Sequence, residues 1–406
     1  MERIYEIFLN ILQFALNGQK ITGEEDITPE QWSGILSLAR MHNVLPLVYN
    51  AGFAHPNFVN NSGVRSYVRQ LVMIQTQKTS QFTQLYEKLK SAGCTPIVVK
   101  GLVCRSLYPQ PDLRLSTDED ILIPESQFDL CRHILQDYDM ASDMTEDEQR
   151  AAYEVPFRKN NSPLYVEVHK SLFPPKSDVY GDWNRFFEKV QESVIDVDGV
   201  YTLNHTDHIF YLICHAFKHF IHSGFGIRQL CDIAMYANAY GSQIEWEKVY
   251  VNCCEINAQT FAATLFAAGE KYLVFSREKS AVPHYFMDQA VDETNLLMDL
   301  FSAGVFGGAT MSRKHSSNIT LDAMVADKSG KKAACSLKNT LFPSAEKLKA
   351  RYTYLAQKPY LLPKAWVERY ISYLKEIRNT KDNSVLRSLN IGNNRIELLR
   401  EYKIIK

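Results

Sequence analysis

Hydrophobic positions recur with two different periods along the chain, and the changes between them divide it. Up to about residue 92 the apolar side chains keep the spacing of helices with one buried face. The opening MERIYEIFLNILQFALNG reads as an amphipathic helix. Thr28-Pro29-Glu30-Gln31 is a helix start, with threonine as cap and proline in the first turn, and Trp32, Ile35, Leu36 and Ala39 continue it along one face. Residues 64–91 form a long helix that stops at Ala92-Gly93. The pattern then shortens. Pro96–Val99 and Ile121–Ile123 are brief apolar runs near glycine and proline, which predicts strands, and residues 126–137 return to helical spacing. After a polar, acidic stretch over 141–152, Tyr153–Phe157 and Leu164–His169 resemble a strand pair joined by the turn-rich Lys159-Asn160-Asn161-Ser162-Pro163.

From Asn204, a candidate cap, helical spacing runs to about Ile221 and resumes over Arg228–Ala239, Trp246–Cys253, Ala258–Val274 and 287–302. Residues 313–340 are rich in serine and lysine and weakly patterned, which predicts a loop. Phe342-Pro343-Ser344 opens a further helix with serine as cap, and Leu361-Leu362-Pro363 interrupts before another. The order predicts an α+β fold, a small mixed sheet flanked by helices, without its strand order. Four regions follow from the pattern: a helical region over 1–92, the sheet-bearing core over 93–200, a helical region over 201–310, and a basic helical region over 311–406.

Composition narrows the class. At 406 residues, 46% hydrophobic and 22% charged, the chain has the balance of a globular protein with a sizeable core. No apolar run approaches the roughly 18 residues of a membrane span, and the opening helix is too acidic for a secretory signal. The eight cysteines include no C-x-x-C pair, so reduced, buried thiols in a cytoplasmic protein are expected rather than a zinc or disulfide framework. Charge is unevenly spread: residues 311–406 hold 20 Lys+Arg against 8 Asp+Glu, and the first 310 hold 25 against 38. A basic end of this kind either meets a phosphorylated partner or docks against the acidic remainder.

The candidate chemistry sits in IVVKGLVCRSLYPQPDLRLSTDEDILI, residues 97–123. Side chains alternate along a strand, so Asp118 and Asp120 point one way and Glu119 the other. Two carboxylates so placed suit a hard divalent cation that takes oxygen ligands. Downstream, Tyr165-Val166-Glu167-Val168-His169 puts Glu167 and His169 on one face between two valines. His215 and His219 are four apart on a helix, with His208 and His222 on much the same side, but Ala216-Phe217-Lys218 between them does not make the HEXXH zinc pattern. Arg228 and Asp232 are spaced to pair along a helix.

The D-x-D on a strand, the glycine turn upstream and the carboxylate on a later strand resemble the nucleotidyltransferase superfamily of DNA polymerase beta. The fuller set of K-G, Y-P, Arg114, D-x-D-I-L and V-E-V-H is similar to the bacterial family of uncharacterised nucleotidyltransferases. HAFKHF, GIRQLCDIAMY and LFPSAEKLKARY…LLPKAWVERY extend the likeness over most of the chain. The resemblance implies transfer of an NMP from an NTP to an acceptor, with release of pyrophosphate. It assigns Asp118 and Asp120 to Mg2+ or Mn2+ and Glu167 to metal or general base. Lys100 and Gly101 would meet phosphate, Arg114 would contact phosphate or fix the loop, and His169 would orient Glu167 or meet the acceptor. The 201–310 helices would border the cleft. The chain departs from the superfamily pattern in having no second glycine and no serine beside Gly101. That departure keeps open a non-catalytic, antitoxin-like, partner-binding role. The acceptor (small molecule, sugar, protein or RNA) is not readable. No DNA-binding motif appears, and a nucleic-acid-binding module using the basic end comes last.

Overall fold

A computed structural model of the chain describes every residue except 1, 24–25, 59–61, 176, 178, 223, 304–310, 329–341, 343, 350–351 and 380–384. It divides into two compact units, one formed by residues 1–217 with 226–297, the other by 218–225 with 298–406.

The first unit opens with helices. α1 (Arg3–Leu16), α2 (Pro29–Met41) and α3 (Leu45–Gly52) bury Phe8, Leu12, Trp32, Ile35 and Val48. α2 begins as the sequence predicts. The Thr28 hydroxyl accepts from the Gln31 N–H, and the Gln31 side chain accepts from the Thr28 N–H, a reciprocal capping box. α4 (Ser62–Ser91) ends at Gly93, whose φ of +88° lets the chain turn back. The Cys94 N–H then reaches the Leu89 carbonyl and the Gly93 N–H the Lys90 carbonyl, the paired bonds of a Schellman stop.

Seven strands form one mixed sheet: β1 (Ile97–Val98), β2 (Glu119–Leu122), β3 (Met140–Ala141), β4 (Glu154–Lys159), β5 (Tyr165–His169), β6 (Ile195–Val197) and β7 (Val200–Thr202). Their order is β3-β4-β5-β2-β1-β7-β6. β2 is therefore central, antiparallel to β1 and parallel to β5. Short helices α5 (Gly101–Ser106), α6 (Phe128–Asp137) and α7 (Glu146–Ala151) join the strands, and α8 (His205–His222) and α9 (Ile227–Tyr240) follow the sheet. One face of the sheet is largely apolar, with Val98, Ile121, Val155, Val166 and Val168 buried, and Ile97 and Leu122 are buried on the other. The α+β class and the mixed, helix-flanked sheet are those the sequence predicts.

Several expectations change. The strand begins at Glu119, so Asp118 closes the preceding loop rather than lying in the strand. The acidic stretch 141–152 contains α7, started by a capping box between Thr145 and Glu148. β6 and β7 form a hairpin outside the expected strands, turning at Asp198-Gly199, a strong turn signal; both residues have positive φ, 52° and 85°, as a tight two-residue hairpin requires. The helix read over 287–302 is shorter, Thr294–Ala303, because His284–Met287 forms a separate turn.

In the second unit, Met311–Lys328 is a helix, where the weak pattern had suggested a loop; the rest of that stretch, 329–340, lies outside the described residues. It packs against Val385–Glu401 so closely that a Cβ on Gly392 would lie 2.9 Å from Ile319. This contact between helices explains how a sequence with little amphipathic pattern holds a helix. Ser344 does occupy the cap position of a short helix, Ala345–Leu348, without a side-chain capping bond. Leu361 ends a single turn before the helix Leu362–Asn379, as the proline there suggests. No helix among the described residues is long and apolar enough to cross a membrane.

Candidate active site

Three neighbouring strands bring the candidate residues together. In the parallel β2–β5 pair Asp120 lies opposite Glu167, so both carboxylates rise from the same face. His169 is two residues beyond Glu167 and shares that face. In the antiparallel β4–β5 pair Glu154 lies opposite His169 and adds a third carboxylate. The strands are held in this register by the buried valines at 155, 166 and 168 on the other face, because a one-residue slip would expose all of them.

The side chains converge. His169 Nε2 lies 3.1 Å from Asp120 Oδ1 and 4.0 Å from Glu167 Oε2, and its Nδ1 lies 3.7 Å from Glu154 Oε2. The other Asp120 oxygen, Oδ2, is 3.0 Å from Lys100 Nζ. Lys100 in turn lies 3.2 Å from His215 Nε2, reached from α8. Burial opposes charge on Asp120, yet the Lys100 ammonium and His169 outweigh it and hold the carboxyl well below its usual range. Burial likewise works against the Lys100 charge, and Asp120, with Tyr211 and Asp118, keeps it protonated. Glu167 behaves in the opposite way. Burial first, then the negative charges of Asp120, Asp118 and Glu154, push it up to about 7.

Ligand atoms of Asp120, Glu167 and His169 all lie within 4.8 Å of one another. Ligands at right angles around a small dication, at about 2.1 Å each, sit about 3 Å apart, so the Asp120–His169 spacing suits adjacent coordination positions. The carboxylate crowding that adds to burial in raising Glu167 is also the condition a divalent cation relieves. The residues present fit such an ion. Asp118, half-buried at the loop end, stands outside this tight group, though its charge acts on Glu167 and Lys100.

The loop into β2 is held by groups that the sequence did not single out. Lys78 of α4 donates to the carbonyls of Ser116 and Thr117 at 2.6 and 2.9 Å, and burial lowers its pKa to about 8. Gln75 accepts from the Ser116 N–H at 2.8 Å. Glu119, on the opposite face from Asp120, forms a wholly buried ion pair with Arg105 of α5 and accepts from the Ser116 hydroxyl at 3.0 Å. Gly101, with φ +23°, starts α5 directly against this carboxylate, and a Cβ there would come within 2.0 Å of Glu119 Oε2. Glycine is demanded here first by Glu119. Arg105, Lys78 and Glu154 carried no periodic or motif signal; only the strand order and the path of α4 bring them to the site.

Arg114 grips Asp232 with two bonds, Nε to Oδ1 at 2.9 Å and Nη2 to Oδ2 at 2.6 Å, and the Tyr108 hydroxyl donates to the same Oδ1 at 2.7 Å. Both partners are buried, so this pair ties the loop before Asp118 to α9. The Arg228–Asp232 helix pair expected from spacing gives way to it, because Asp232 turns toward Arg114 while Arg228 donates to the Leu115 carbonyl. Among the histidines of α8, His208 packs inward beside Thr202 at 3.0 Å, and burial lowers its pKa to about 3. The cysteines at 94, 104, 131, 214, 231 and 253 are buried and unbridged, Cys254 is partly exposed and unbridged, and Cys335 lies outside the described residues.

The sheet face thus carries acidic side chains on adjoining strands, with a lysine-glycine turn beside them, a set able to hold a divalent cation. The chain belongs to the family of uncharacterised nucleotidyltransferases, whose model matches residues 28–272, from the cap of α2 to the end of the helix Gln259–Tyr272. Neither a curated protein nor a solved structure matches the chain.

Proposed function

We propose that this protein is a metal-dependent nucleotidyltransferase that transfers an NMP from an NTP to an acceptor and releases pyrophosphate. The observation that carries the reading is the convergence of Asp120, Glu167, His169 and Lys100 on one face of adjoining strands, in a chain of this family. Asp118, Asp120 and Glu167 hold the cation, Mg2+ or Mn2+, in this reading. When bound, such an ion offsets charge on the attacking and leaving oxygens of an in-line displacement.

The protein's own groups divide the remaining work. Lys100 stays cationic and stands beside the turn at Gly101, where it meets the triphosphate. Glu167, which a bound cation would keep ionised, is the group to take a proton from an acceptor hydroxyl. Arg114, through Asp232, keeps the loop before Asp118 in place. The acceptor is a small molecule, sugar, protein or RNA, chosen by helices outside the sheet.

Calorimetric titration of the four NTPs, with and without Mg2+ or Mn2+, tests the reading, with the Asp118→Ala/Asp120→Ala double variant as control. Metal-dependent NTP binding that disappears in the variant supports it, and the preferred base narrows the acceptor. Absence of binding by the wild-type protein with either metal overturns it in favour of a partner-binding role.

A further inference from the structure

The imidazole of His169 is built into the sheet differently from a histidine that merely fills space. It is almost wholly buried at the end of β5, with a carboxylate at each ring nitrogen. Nε2 faces inward, between Asp120 Oδ1 and Glu167 Oε2, while Nδ1 faces Glu154 across the β4–β5 pair, with no hydrogen-bond partner of its own. With no ion between them Nε2 is at hydrogen-bond distance from Asp120 Oδ1, and Glu154 behind Nδ1 can hold the ring proton once a cation takes the Nε2 lone pair. The Asp120 carboxylate is divided in the same sense, Oδ2 toward Lys100 and Oδ1 toward Nε2. Lys100 therefore leaves open the side of Asp120 that His169 shares.

We infer that His169 Nε2 is itself a metal ligand, oriented from behind by Glu154, and that the site is selective for a first-row transition dication such as Mn2+ over Mg2+. The inference rests on the proposed metal-dependent function and adds the identity of the ion. Mg2+ demands near-ideal octahedral oxygen coordination and keeps its waters, whereas an imidazole nitrogen adds affinity for first-row transition ions, least for Mn2+ and more along the series toward Cu2+. Beside the carboxylates, one imidazole makes a mixed donor set in which the nitrogen supplies the discrimination. Glu154 touches no metal in this scheme. It is a positioning residue, and the conserved logic of a carboxylate behind a ligating imidazole is to fix the ring and raise its basicity.

The first test needs no variant. Mn2+ is added to the wild-type protein, and electron spin-echo modulation is recorded for coupling of the bound ion to an imidazole nitrogen. Coupling is expected, and Mn2+ bound without it overturns the inference while leaving a metal-dependent enzyme intact. The second test compares Mn2+ and Mg2+ affinities by calorimetry in the wild type, His169→Ala and Glu154→Gln. His169→Ala should lose about tenfold or more for Mn2+ and change Mg2+ little, so the ratio collapses; an equal loss for both ions overturns the inference. Glu154→Gln should lose Mn2+ affinity by roughly tenfold, in the range for an outer-shell partner, and weaken the nitrogen coupling without abolishing it. Failure of the wild type to bind either ion, with or without NTP, overturns both this inference and the function on which it rests.

Discussion

Glu119 and Asp120 are neighbours on the central strand, both carboxylates and both buried, yet they face different worlds. Glu119 meets Arg105, Ser116 and the bare α-carbon of Gly101, a closed arrangement in which one cation answers one anion. Asp120 faces a lysine, a histidine and, opposite it on the adjoining strand, Glu167, with Glu154 behind the histidine one strand further. Burial alone does not separate a structural charge from a site. What separates them is how the surrounding charges are balanced: Glu119 has Arg105 to itself, whereas near Asp120 several carboxylates add to burial in raising the pKa of Glu167.

That contrast can be broken most strongly on the structural side. Arg105→Met strips Glu119 of its partner and should destabilise the protein by about 3–5 kcal/mol, since an uncompensated charge is left buried. Urea unfolding measures it, and a loss below about 1 kcal/mol would show that the pair is not what holds the strand. On the other face, Asp120→Asn should weaken divalent-cation binding by about a hundredfold, equivalent to about 2.8 kcal/mol. Isothermal titration decides this, and unchanged affinity would place the ion elsewhere. Lys78→Met lies between the two faces, because its ammonium anchors the loop that leads to both. Two carbonyls lose a charged donor, so a stability loss of about 1.5–3 kcal/mol is expected, with weaker metal binding in proportion to the loosened loop.

The smallest effect sharpens the comparison through pH. Glu167 titrates near 7 in the folded chain against an ordinary 4.5, so the folded state retains a proton that the unfolded state has lost between those values. Stability from this group therefore falls as pH rises through that window. In chelator-treated protein, Glu167→Gln should raise the melting temperature at pH 8 by a few degrees and leave it nearly unchanged near pH 4.5. Equal shifts at both pH values would remove Glu167 from that charge balance. Added divalent cation should reverse the wild-type trend, because it favours the ionised carboxylate.

Much of the fold was legible wherever a local signal decided it. Thr28 and Gln31 announce α2, Gly93 announces the end of α4, and the alternation in Tyr165–His169 announces β5. Asp198-Gly199 carries an equally local signal for the β6–β7 hairpin. Met311–Lys328 was not legible, because its helix depends on the packing of Ile319 against Gly392 rather than on an apolar stripe of its own. The candidate site was partly legible for the same reason. Asp120, Glu167 and His169 lie in short patterned strands, whereas Glu154 reaches them only across a sheet pairing, and Lys78 only because α4 runs past the loop.

The sequence by itself determined which residues are helical or extended over most of its length, that one strand carries neighbouring acidic side chains, and that Glu167 and His169 share a face. These follow from capping, turn chemistry and the two side-chain periods, all of which act over a few residues. Tertiary structure alone decided that β2 lies between β5 and β1, that Glu119 is neutralised by Arg105 while Asp120 joins Glu167 and His169, and that Asp232 holds Arg114 instead of Arg228. Each of these turns on which charge ends nearest to which, and Coulomb interactions in a buried site depend on distance and dielectric, quantities that exist only once the chain has closed on itself.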